Sequence, residues 1–120
     1  MLSRSSSLAL ALLLAATAAL AGCKRQHDEV PCTAVAARFL VIAQAETQSA
    51  KVDEALRQRV VIQLPALRDA VDGSCFTGNW SLEMRRCMVG AADSAALVAC
   101  QRLLTDEQRA SLERAAQPPR

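Results

Sequence analysis

The chain has 120 residues, enough for one small domain, and its formal net charge of +2 is too small for a nucleic-acid binder. It holds one Trp, two Phe and no Tyr, so its arginines lack aromatic partners on which bases stack. Alanine and leucine dominate the apolar residues and β-branched residues form no alternating runs, which points to an all-α fold.

The first segment reads as a targeting sequence. Residues 1–7 carry one positive charge, Arg4, and residues 8–20, LALALLLAATAAL, are 13 uncharged residues. A basic start, a short apolar run and small residues before a cut mark a secretory signal peptide. The uncharged run from Leu8 to Cys23 is 16 residues, short of the 18 or more that a spanning helix needs. The tetrad Leu20-Ala21-Gly22-Cys23 resembles the lipobox of bacterial lipoproteins. That resemblance implies a diacylglyceryl group on the Cys23 thiol, removal of residues 1–22, and acylation of the new amino group. Such multiple acylation suffices for stable membrane attachment. Lys24, rather than Asp, follows the cysteine, a pattern that in enterobacterial lipoproteins implies the outer membrane, facing the periplasm.

Residues 24–31, KRQHDEVP, are polar and mixed in charge and read, with Cys23, as a lipidated flexible tether. Eight residues reach at most about 28 Å and average roughly 15–17 Å, so the domain stays near the membrane. Lys24 and Arg25, next to the lipidated cysteine, are expected to touch headgroups, with Asp28 and Glu29 cancelling much of that attraction.

A helical domain over residues 32–116 follows, with a disordered tail at 117–120. Pro31 and Cys32 open a helix to about Ser49, with Val35, Phe39, Ile42 and Ala43 on one face. Asp53 and Glu54 start a second helix, predicted to end before Gly73. Its stripe is Leu56, Val60, Leu64, Leu67 and Val71, and Pro65 is expected to kink or split it near Leu64. Asn79 is the expected cap of a third helix carrying Trp80, Met84, Cys87 and Met88, stopped at Gly90. Asp93 or Ser94 caps a fourth, aligning Leu97, Cys100 and Leu104. Thr105-Asp106-Glu107-Gln108 is a capping box opening a short fifth helix through Leu112.

With Cys23 assigned to lipid, Cys32, Cys75, Cys87 and Cys100 remain. Export puts them in an oxidising compartment, and their spacings of 43, 12 and 13 contain no zinc knuckle. The only His, His27, lies in the tether. Disulfides are therefore expected rather than a metal site or free thiols, and four cysteines allow three connectivities. Folding helices one and two, and then three and four, as antiparallel hairpins favours Cys32–Cys75 with Cys87–Cys100. Crossed pairing, Cys32–Cys87 with Cys75–Cys100, stays open because Cys75 falls in a predicted loop. The expected architecture is two helical hairpins plus a short terminal helix, stapled twice.

No catalytic constellation emerges. The folded part has no His and no unassigned Cys, which removes Ser-His and Cys-His pairs. Lys51 falls in a predicted turn, and Asp69, Asp72, Glu83 and Asp93 read as caps and solvated charges. No metal or other cofactor is expected, and the chain is read as a non-enzyme. Arg85 and Arg86, beside Trp80, are the one possible partner surface, with Trp80 in the core and both arginines pointing outward.

Two further resemblances bear on function. Leu104-Thr105-Asp106-Glu107-Gln108 is similar to the L-T-x-x-Q motif of Spy/CpxP-like periplasmic stress chaperones, which are helical and bind unfolded or stress-signalling proteins. Those proteins generally carry two copies; this chain has one. The run Cys75…Trp80…Arg86-Cys87…Cys100 resembles small cysteine-containing lipoproteins of myxobacteria, a likeness that implies no activity. The leading expectation is a non-enzymatic, lipid-anchored envelope protein that holds or recognises another envelope protein. Chaperone-like or stress-sensing binding is the alternative.

Overall fold

The computed structural model describes residues 29–119. The signal segment 1–22, Cys23, His27 and most of the tether lie outside the described residues. Among the described residues the fold is all-α, with five helices: α1 (Cys32–Ser49), α2 (Glu54–Thr77), α3 (Leu82–Gly90), α4 (Ser94–Cys100) and α5 (Asp106–Ala115). A single 3-10 turn, Gln101–Leu103, links α4 to α5. None of the described helices is long and apolar enough to cross a membrane.

Local caps start most of these helices. The side chains of Asp53, Ser81, Asp93 and Thr105 each accept a main-chain N–H three residues on, from Leu56, Met84, Ala96 and Gln108. Pro31 stands before α1 without a side-chain cap.

α1 and α2 form an antiparallel hairpin about residues 50–53, and Arg57 closes its turn. Its Nη2 donates to the Ala50 carbonyl at 2.9 Å and its Nε to that of Thr47 at 3.2 Å, placing a cation on the C-terminal carbonyls of α1. α3 lies parallel to α1. Arg85 Nη1 donates to the Val30 carbonyl at 2.6 Å, and Arg38 forks onto the Ala91 carbonyl at 2.8 and 2.6 Å. Glu46 of α1 accepts from both the N–H and the hydroxyl of Ser94, at 3.0 and 2.7 Å, and so holds the start of α4. α5 then returns antiparallel along α2. Four arginines thus tie helices to loop carbonyls, counting Arg109, which donates to Gln101 and Leu104. A guanidinium has several planar donors for such ties where an ammonium offers one point charge.

The core gathers Val35, Ile42, Val71, Cys75, Trp80, Met84, Leu97, Cys100 and Leu104, with Cys32 and Cys87 partly buried against it. Cys32 is bonded to Cys75 and Cys87 to Cys100, one disulfide within each hairpin.

Several expectations need correction. α2 does not end before Gly73 but runs through it to Thr77. Glycine costs a helix interior about 1 kcal/mol, and the burial of Val71, Ser74 and Cys75 around it offsets that loss. Cys75 is therefore helical and not in a free loop. Pro65 does not split α2, because its position faces solvent while Leu64 and Val71 bury against the core. Leu56, placed on the buried stripe, is 39% exposed.

Asn79 does not cap α3; it ends α2. It adopts φ 49°, its N–H reaches the Phe76 carbonyl at 3.2 Å and the Trp80 N–H reaches that of Cys75 at 3.1 Å. That is a Schellman closure with asparagine in the left-handed position. Trp80 accordingly precedes α3 and is buried in the connection, 2% exposed. At the other termini, Val30 packs on the core and its carbonyl holds Arg85, so the tether gives way to the domain before residue 31. α5 passes Leu112 and continues to Ala115.

Candidate functional site

The helices do not close completely over their own core. Between α1, α2, α4 and α5 lies an apolar cleft of about 330 Å³. Its floor is Trp80, Met84 and Met88, each at most 5% exposed. Phe39 of α1 with Leu67 and Val71 of α2 forms one wall. Leu97 and Val98 of α4 and Leu112 of α5 form the other. Val98 is 63% exposed and carries the apolar surface out over the rim.

The geometry follows from chain length. α4 has only seven residues and is held at both ends, by Glu46 on Ser94 and by the disulfide at Cys100. α5 is positioned at its start by Gln108 and along its length by its contact with α2. The two short helices stand apart because each is fixed to a different long one, α4 to α1 and α5 to α2. The cleft is what remains between them. Methionine is suited to such a floor, since its unbranched, polarisable side chain adapts to varied apolar occupants.

Polar groups sit at the mouth. Arg109 turns its donors to the Asp106 carboxylate at 3.2 Å and to the Leu104 and Gln101 carbonyls at 3.3 and 3.4 Å. Glu113, one turn further along α5, also lines the cleft and takes part in none of the ion pairs among the described residues. An apolar pocket with a few convergent polar groups is the usual form of a ligand site, and this one is near the small end of the range.

The residues singled out in the sequence are placed differently. Arg85 does not point outward as a partner surface. It is half-buried with Nη1 on the Val30 carbonyl, and only Arg86 remains exposed. Lys51 is exposed in the α1–α2 turn. Asp69 pairs with Arg68 at 2.7 Å, Asp93 caps α4, and Glu83 stands exposed in the first turn of α3. Gln108 of the L-T-x-x-Q motif is engaged inside the fold, bonded to Thr105 and Gly78. No group of three or more metal-ligating side chains gathers among the described residues.

Sequence reasoning placed Phe39, Met84 and Met88 on apolar helix faces but gave no sign that these faces line an open cleft. The pattern of a lining residue and that of a core residue are the same. No family model, no curated protein and no solved structure matches the chain.

Proposed function

We propose that this protein is a non-enzymatic, lipid-anchored lipoprotein of the cell envelope, carried on the outer membrane and facing the periplasm, that holds another envelope protein through the apolar cleft. The cleft is the observation that carries this reading: an apolar recess of about 330 Å³, floored by the buried Trp80, Met84 and Met88, that the helices leave open. The Leu20-Ala21-Gly22-Cys23 tetrad supports the anchor. The absence of His from residues 28–120, the engagement of all four later cysteines in disulfides, and a lone exposed Lys51 support a binding rather than a catalytic role.

A concave apolar surface also serves chaperone-like capture of unfolded chains, the second reading. The small volume favours a defined segment over a long extended one. A photo-crosslinking amino acid at Val98, on the cleft rim, separates the two in the producing cell. One discrete adduct is expected, with none from the same group at Arg59 on α2. A smear of many adducts would transfer the protein to the chaperone class. No adduct from Val98 would remove the cleft as a binding site.

A further inference from the structure

We propose that the segment seated in the cleft is an amphipathic, basic helix of the partner protein, inserting two apolar side chains one turn apart and placing a lysine or arginine against Glu113. This inference rests on the binding role proposed above and names the chemistry of the partner.

Size sets the first part. A dry cavity of about 150 Å³ admits one benzene-sized group, so about 330 Å³ takes roughly two side chains. Two apolar anchors at i and i+4 are what a helix presents when it lies along a groove. Val98, 63% exposed at the rim, extends the apolar surface beyond the pocket itself, where the rest of such a helix would lie.

Charge sets the second part. Two charged side chains reach the mouth, Arg109 and Glu113. Arg109 is tied to the exposed Asp106 carboxylate and directs its donors to the Leu104 and Gln101 carbonyls, away from an incoming segment. Glu113 enters no ion pair among the described residues and is exposed. An incoming segment therefore meets a carboxylate that forms no ion pair among the described residues, beside an apolar slot. A cation there gains an ion pair, and an anion is repelled.

Trp80 is the only Trp in a chain without Tyr and forms part of the cleft floor, so its emission reports occupancy. The test uses the full chain in phosphatidylcholine vesicles, whose zwitterionic surface does not attract basic peptides. Three alanine-based 14-residue helical peptides serve as probes. One carries two leucines four apart flanked by lysines, the second replaces the lysines by glutamates, and the third replaces the leucines by serines. The lysine peptide is expected to shift Trp80 emission saturably, and the glutamate peptide to bind at least about fivefold more weakly. Glu113→Gln, on an exposed position, is expected to reduce that ratio below about twofold. Ala116→Phe, which fills the mouth, should abolish binding of both, and the serine peptide should not bind.

Equal affinity for lysine and glutamate peptides would overturn the inference while leaving the cleft as a binding site. Tighter binding of the glutamate peptide would overturn it in favour of Arg109 as the determinant. Trp80 emission that changes with protein concentration alone would assign the cleft to a second copy, again overturning it. Emission unmoved by every peptide would remove both this inference and the binding role.

Discussion

The side-chain nitrogen of Gln108 donates to the carbonyl of Gly78 at 2.8 Å while its oxygen accepts the Thr105 N–H at 2.9 Å. One residue thus completes the capping box of α5 and fastens that helix to the end of α2. The single L-T-x-x-Q match has an architectural role in this domain, since it sets the angle of the helix that forms one wall of the cleft. Gln108→Ala removes both bonds and is expected to cost about 1–2 kcal/mol, lowering Tm by roughly 4–16 °C in thermal melts. Gln108→Glu preserves the capping acceptor but sets a carboxylate against the Gly78 carbonyl, and should be destabilising too. A neutral Gln108→Glu would mean that the link to Gly78 contributes nothing.

Pro65 offers a test of opposite sign. It interrupts α2 without splitting it, and it leaves the Val61 carbonyl without the N–H that position 65 would otherwise supply. Pro65→Ala restores that donor at a solvent-facing position. Proline is about 3 kcal/mol worse than alanine inside a helix, less up to about 1 kcal/mol for its restraint of the unfolded chain. A gain of about 2–3 kcal/mol is expected, read as a raised Tm with unchanged helical circular dichroism. A lowered Tm would show that α2 relies on the proline ring.

The disulfides constrain the unfolded chain unequally. Cys32–Cys75 spans 43 residues and Cys87–Cys100 spans 13. Their loss as paired serine variants should cost about 4 and about 3 kcal/mol respectively in denaturant titrations. Peptide mapping without reduction, after cleavage at Phe76, Trp80 and Arg86, should recover Cys75 linked to Cys32 and never to Cys100.

Cys23 is expected to be the first residue of the mature chain and to carry the acyl groups. Intact mass of the protein extracted from membranes should show a chain starting there with acyl adducts. Cys23→Ser should release soluble protein or accumulate uncleaved precursor. A mature chain that begins before Cys23 and lacks acyl mass would rule out the lipid anchor.

Three helix starts were legible in the sequence because their causes are local. Asp53, Asp93 and Thr105 each cap a helix by a bond to a main-chain N–H three residues away, and no distant residue is needed. The all-α class was legible for the same reason, and the hairpin layout that ranked the disulfides followed from helix lengths and turns. The end of α2 was not legible. Gly73 is a local stop signal, yet burial of Ser74 and Cys75 against α1 carries the helix past it, and Asn79 can cap a following helix or end a preceding one. Arg85 reads as surface in any helical projection, and only the return of Val30 alongside α3 turns it inward. The cleft lies furthest from the sequence. Phe39, Leu67, Met84, Leu97 and Leu112 come from five different helices, and each sits on an apolar face whether or not that face is covered. Whether the gap closes depends on the spacing of α4 and α5, fixed by Glu46 on Ser94 and Gln108 on Gly78, bonds between residues 48 and 30 positions apart.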